Sequence, residues 1–428
     1  MKIWALVAAF VLFAVLFYMA KKKINFGART IIAALLGIGL GFAFKGNVDY
    51  VTVFGSIYAN LLFAIVVPLL FTSIVSTVVS LESIEKMRSI GAKTIGILSL
   101  HNVLGSILGL ILGVAFKIGT NSSLTVPANA EVKEVPPFTE AFVNFFPDNV
   151  IGNMADAKVI PTIIFAVLLG LAILQLQERG EGEKAKPFIS FIDSAATVVF
   201  RFTGMIIDFT PYAVLALMAN AVSRTDMASI KPLLLVLILT YVASIFHSYI
   251  TTGALLALFA KVNPITFFKK YFPVQLIAFT TQSSVGTIPA NTQNLTEKMG
   301  VSEKVATFVA STGSSVGMPG CAGFWPVLSA ILTLNVMGQK FTVSQYVMLI
   351  IVALAVSLGT VGVPGTATIT TTAVFVAMGL PVEMVVLMSP ISMIADMGRT
   401  ATNVTAAGSS AVIVAASENE LDREVFNS

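Results

Sequence analysis

Thr280-Thr281-Gln282-Ser283-Ser284-Val285-Gly286-Thr287-Ile288-Pro289 breaks an otherwise apolar stretch, residues 264–298, with a run rich in hydroxyls and ending in proline. A second break, Ser357-Leu358-Gly359-Thr360-Val361-Gly362-Val363-Pro364-Gly365-Thr366, sits between the apolar arms of residues 343–377. Glycine and proline interrupt helices. Non-helical backbone at membrane depth survives only against protein or a wet cavity. Each segment is therefore expected to form a re-entrant helical hairpin, one from each side of a bilayer. Two ordinary kinked spans are the alternative.

The bilayer itself follows from composition. Of 428 residues, 56% are hydrophobic and 11% charged, and the mean hydropathy is +0.90. A soluble domain of this size needs more polar surface, so the class is an all-α polytopic membrane protein. The net charge of +4 is dispersed among loops, which points away from nucleic acid as a partner. A single cysteine, Cys321, excludes an intrachain disulfide.

Spans are expected near 3–20, 29–45, 51–81, 88–116, 138–177, 187–222, 230–260, 302–337 and 381–417. Residues 1–20 end in Lys21-Lys22-Lys23. A signal peptide carries its charge ahead of its apolar core, so this segment reads as a retained helix. A path starting outside leaves sixteen of the 26 basic residues in the cytoplasm and eight outside, as the positive-inside rule requires. The external loop 118–137 and the tail 418–428 are expected to be solvated. Hairpin followed by helix occurs twice, the signature of an inverted repeat with its site where the tips meet.

Two helices carry the polar groups. In 302–337, the run Ser311-Thr312-Gly313-Ser314-Ser315-Val316-Gly317-Met318-Pro319-Gly320-Cys321-Ala322-Gly323 cannot be a smooth helix. Its freed carbonyls suit a desolvated monovalent cation; close packing through small residues is the other reading. In 381–417, Asp396, Arg399, Thr400 and Asn403 follow i, i+3, i+4, i+7 spacing and share one stripe. Charges at that depth cost roughly 2.5–3.5 kcal/mol each and usually mark a ligand pathway. The stripe offers an acceptor for an ammonium and donors for a carboxylate, as an amino acid requires. An internal salt bridge that only stiffens the helix is the competing reading. Gly313-Ser314-Ser315-Val316-Gly317 also matches G-x-S-x-G, but no strand precedes it and both histidines, His101 and His247, lie upstream, so a hydrolase is not expected. A channel would need a continuous lined pore, whereas this polar set converges on one pocket.

These motifs together resemble the dicarboxylate/amino acid:cation symporters, which include the archaeal aspartate and mammalian excitatory amino acid transporters. The likeness rests on Asp396-Met397-Gly398-Arg399-Thr400 with Asn403, the serine-rich tip, and Gly359 to Gly365, and it runs from about residue 29 to 417. Gly320-Cys321-Ala322-Gly323, residues 61–69 and residues 210–218 are most similar to the bacterial L-cystine uptake transporters. The resemblance implies a glutamate-transporter-like fold with one extra N-terminal helix (1–28). It implies a homotrimer in the cell (inner) membrane, with its N-terminus outside and its C-terminus cytoplasmic. A scaffold (29–81 and 138–222) would hold the trimer, and a transport domain (88–117 and 230–417) would move as an elevator, followed by the tail 418–428.

By the same likeness, Asp396 binds the substrate ammonium, while Ser283, Ser284, Gly362, Val363, Pro364 and Asn403 form the α-carboxylate cradle. Arg399, with Thr400 beside it, binds a side-chain carboxylate, and Cys321 is a small pocket wall. One sodium site would use Ser315, Met318, Ser357, Leu358 and Thr360. Two further sites look impaired, because Gly317, Pro319 and Ala407 replace an Asn and two Asp, and Leu98, His101 and Asn102 replace a Tyr-and-hydroxyl cluster. Fewer coupled sodium ions are expected, with no other cofactor. His101 is either a hydrogen-bonded structural residue or a proton carrier; His247 reads as packing. The expected activity is L-cystine symport, with aspartate, glutamate or serine symport as the alternative.

Overall fold

The computed structural model describes residues 1–24, 26–79, 85–122, 124, 143, 146–156, 158–224, 227–358, 360, 362 and 365–428. Among them the chain is helical, with one isolated antiparallel bridge, Val301 to Leu421. In order the helices are α1 Lys2–Lys21, α2 Phe26–Ala43, α3 Asp49–Val79, α4 Glu85–Ala115, α5 Val150–Ala155, α6 Val159–Glu178, α7 Gly182–Asp208, α8 Thr210–Arg224 and α9 Met227–Ile245. Two π-helical turns, Phe246–Thr251 and Leu256–Ala260, flank the short α10 Thr252–Leu255. Then come α11 Pro264–Thr281, α12 Ser284–Glu297, α13 Glu303–Gly313, a π-helical turn Pro319–Phe324, α14 Trp325–Val336, α15 Val343–Ser357, α16 Thr366–Ala377, α17 Glu383–Ser417 and α18 Arg423–Asn427. Six described helices are long and apolar enough to cross a membrane, and the chain is a multi-pass membrane protein.

Two packing groups organise these elements. In the first, α2 lies along α8, and α3 lies against α6, α7 and α8. A Cβ at Gly37 or Gly41 would come within 2.5 or 2.6 Å of the Leu215 or Ala219 carbonyl, so only glycine permits that approach. Helix α1 joins this group. Ala5, Ala9 and Leu16 pack with Ala33, Leu40, Val51 and Leu215, Phe13 meets Phe54 and Tyr212 edge-on, and Lys2 pairs with Asp49 at 2.7 Å. In the second group, α17 runs through the middle, packed against α4, α9, α11 and α13.

Four expectations are corrected. The span placed at 138–177 resolves as α5 and α6; residues 138–142, 144 and 145 lie outside the described ones. Asn149 caps α5 by accepting from Gly152 N, and the helix stops at Asp156. The span 187–222 divides at Phe209, where Pro211, in the first turn of α8, has no N–H to bond back into α7. The tail is docked through its backbone and Phe426, while Asn419, Asp422, Arg423, Glu424, Asn427 and Ser428 stay exposed as expected. Asp422 N donates to Gly300 O at 2.8 Å and Ser302 N to Glu420 O at 3.0 Å. Lys270 Nζ donates to the carbonyls of Lys298, Val425 and Phe426. The Phe426 ring is fully buried among Leu295, Met299, Val301 and Ile413. Charge counting missed this because the basic residues are spent on main-chain carbonyls. The fourth concerns His247: it is not mere packing, since its Nε2 lies 3.1 Å from His101 Nδ1.

Candidate functional site

Both interruptions form turns, and the turns meet. Gln282 ends α11 in the left-handed region, φ 55°, and Ser283 starts α12, its hydroxyl accepting from Gly286 N at 2.9 Å. Val285 N donates to Gly362 O at 3.0 Å, and Gly362 N donates to Ser314 O, at the break after α13, at 2.7 Å. Ser284 is buried against Gly362, where an added Cβ would collide with the serine side chain. Val363 and Pro364 lie outside the described residues. Gly365, at φ 87°, opens α16 and donates to Asp396 Oδ2 at 3.4 Å.

Across from the turns lies the stripe on α17. Asp396, Arg399, Thr400 and Asn403 are each 3% exposed or less. Asn403 Oδ1 accepts from Gly320 N at 2.8 Å, holding the π-helical turn against α17. Glycine is required there: a Cβ would stand 2.6 Å from Arg399 O. Cys321 lies between the stripe's ends. Its thiol is 3.6 Å from Asp396 Oδ1, and Asn403 Nδ2 donates to Sγ at 3.1 Å. Its carbonyl accepts from Thr370 Oγ1 on α16 at 2.6 Å.

Asp396 and Arg399 form an ion pair, Nη2 to Oδ1 at 3.2 Å. Nη2 also reaches Ser392 O and Ser392 Oγ. Arg399 Nε and Nη1 are buried and have no hydrogen-bond partner among the described residues. A charged donor left this way costs more than the ~1–3 kcal/mol of a neutral one.

The residues of the expected cation site are partly gathered. Thr360 Oγ1 reaches Ser357 O at 3.3 Å and Ser315 O at 3.5 Å, and Gly317 N donates to Ser357 O at 3.1 Å. Met318 is buried and extended, its carbonyl taken by Asn102 Nδ2 at 3.2 Å. Leu358 follows the end of α15 and is half-exposed. Carbonyl oxygens with one hydroxyl suit a monovalent cation at an unwound helix. Of the residues expected to impair the other two sites, Gly317 lies against the Leu98 backbone and Cβ, and Ala407 lies against Gly313. His101 is hydrogen-bonded on both sides, Nε2 lying 3.1 Å from Ser409 Oγ.

Three neighbours escaped the sequence reading. Ser392 continues the stripe's own 4-3-4 spacing and was findable. Trp325, whose ring centroid is 4.2 Å from Arg399 Cζ, carried only the signal of a tryptophan four residues after Cys321. The third, Tyr271, donates to Asn291 Oδ1 at 2.6 Å and Val404 O at 2.8 Å, a linkage no periodicity encodes.

A buried stripe of polar and charged side chains facing two joined helix breaks, inside an apolar chain whose described residues are nearly all helical, suits a membrane transporter. The chain belongs to the sodium:dicarboxylate symporter family, whose profile matches residues 26–417, and is therefore a cation-coupled transporter and not an enzyme. It is 32% identical to the L-cystine uptake protein TcyP of Bacillus thuringiensis, over 97% of this chain and 95% of that protein. To the L-cystine uptake proteins TcyP of Bacillus licheniformis and Shouchella clausii it is 30% identical, over 97% and 96% of this chain and 95% and 93% of theirs.

Proposed function

We propose that this chain imports L-cystine, driven by a cation gradient. Asp396 takes the α-ammonium, while Asn403, Ser283, Ser284 and backbone of both turns, including Gly362, take the α-carboxylate. Arg399 takes the distal carboxylate. The unpartnered Arg399 Nε and Nη1 carry this reading. A second carboxylate satisfies buried donors that nothing among the described residues satisfies. Cys321 and Thr400 shape the wall beside it. The names of the relatives support cystine over a smaller diacid.

Sodium is the coupling ion in this proposal. Ser315, Ser357, Leu358 and Thr360 would hold it through oxygens, and Met318 through sulfur. Its binding would supply charge and rigidity where the turns meet the broken helix. Because each ligand favours the closed arrangement that the other favours, occupancy of one raises affinity for the other.

The second packing group would be the mobile transport domain and the first, joined by α1, the trimeric scaffold. Several contacts support hairpins that enter and return. The start of α11 and the end of α12 meet through Lys270 and Lys298, while their turn reaches Ser314 at the helix break. The second hairpin would gate the outside. Lys93, Lys270, Lys298 and the tail share one end of the molecule, in line with a cytoplasmic C-terminus in an inner membrane and an external N-terminus.

Uptake of labelled L-cystine into proteoliposomes, with sodium and proton gradients imposed one at a time, tests the proposal. Accumulation should require inward sodium and fall at least tenfold in Arg399→Ala. Wild-type uptake in that variant would sink the assignment, and competition by aspartate or serine stronger than by cystine would replace the substrate.

A further inference from the structure

Arg399 is held on an edge and on a face. Its Nη2 edge meets Ser392 and Asp396, and its face meets the Trp325 ring, 4.2 Å away. Trp325 is 1% exposed and Arg399 fully buried, so the attraction between cation and ring acts without competing water. The ring is itself fixed. Trp325 begins α14 directly after the π-helical turn, which is pinned by Thr370 on Cys321 O and by Asn403 on Gly320 N. Gly109 lets the turn approach α4 so closely that a Cβ there would sit 2.8 Å from Phe324.

The geometry leaves an arginine that has not taken its best available partner. Arginine and carboxylate prefer two parallel hydrogen bonds. Here Asp396 receives one, and its second oxygen has Gly365 N at 3.4 Å. A free guanidinium would swing to present a second nitrogen to Asp396, consuming one of the two that now stand open.

We propose that Trp325 is a positioning residue that prevents this collapse: it clamps the Arg399 guanidinium so that Nε and Nη1 stay available to a carboxylate at the far end of the substrate. It thereby sets the preference for amino acids with a distal carboxylate over those without one. This rests on the substrate-binding reading above.

The chain has two tryptophans, and Trp4 is exposed on α1. Trp4→Phe therefore leaves Trp325 as the sole emitter. In that background, Arg399→Leu should change Trp325 emission in intensity or wavelength; identical spectra would overturn the contact itself, whatever the substrate. The second arm is uptake. Trp325→Leu and Trp325→Met should raise KM for labelled L-cystine about tenfold while the maximal rate per folded transporter changes little. Inhibition by S-methyl-L-cysteine, which lacks a distal carboxylate, should not weaken. The ring-keeping Trp325→Phe should restore KM to within about threefold of wild type. Unchanged KM in both Leu and Met variants, or equal damage in Phe, would overturn the role. If wild-type protein takes up no L-cystine, the substrate assignment alone has failed. The same KM comparison with labelled L-aspartate, beside the emission result, then decides on Trp325.

Discussion

Replacing Arg399 with leucine removes a fully buried cation and leaves the Asp396 carboxylate, 1% exposed, with weak company. Its remaining partners are Gly365 N at 3.4 Å and the Cys321 thiol at 3.6 Å. Breaking a buried pair from one side costs about 3–5 kcal/mol, because an uncompensated charge stays behind. Removing both charges costs far less and is often neutral. Asp396→Asn combined with Arg399→Leu should therefore be more stable than Arg399→Leu alone by about 3 kcal/mol. Both variants should be transport-dead, since each lacks a proposed substrate contact. The assay is the denaturant midpoint of purified protein in one detergent, read for wild type, both single variants and the double. A double variant whose losses equal the sum of the singles would refute the reasoning, since the two charges would then not be felt as a pair.

Gly320→Ala should cut uptake by at least tenfold and lower stability by about 1–3 kcal/mol, because the new methyl cannot fit against Arg399 O without separating the π-helical turn from α17. Uptake kinetics and the denaturant midpoint check it. Phe426→Ala should cost about 3–5 kcal/mol through the cavity left among Leu295, Met299 and Ile413, with uptake per folded molecule unchanged. Protease resistance of the tail reports the loss. His101→Gln should keep the wild-type pH profile of uptake, because both ring nitrogens already serve hydrogen bonds to His247 and Ser409. A flattened profile would make His101 a proton carrier instead.

Helix breaks were legible because they are written in residue chemistry. The break between Gly313 and Pro319 and the turns at Gln282 and Gly365 fall where glycine, proline and serine predict. The polar stripe was legible because i+3 and i+4 spacing is local, and α17 is one continuous helix over it. Contacts between distant segments were not. His101 and His247 are 146 residues apart, and nothing in either neighbourhood announces the other. Trp325 over Arg399 depends on a π-helical turn that rotates the ring by an amount the sequence does not state. The tail was misjudged for a related reason: charge suggests water, yet Lys270 and Arg423 find helix-end carbonyls of Val425, Phe426, Ala260 and Lys261 that need donors. The break at Phe209 was not legible, because Pro211 sits inside a long apolar run.

The joins among the two turns and the broken helix are made largely by main-chain atoms: Val285 N to Gly362 O, Gly362 N to Ser314 O, Gly317 N to Ser357 O. Peptide groups are common to every residue, so these joins ask for little beyond the room that Gly362 and Gly317 leave beside Ser284 and Leu98. On the substrate reading proposed above, divergence can retune cargo at Cys321, Thr400 and Trp325 while these main-chain joins are inherited intact.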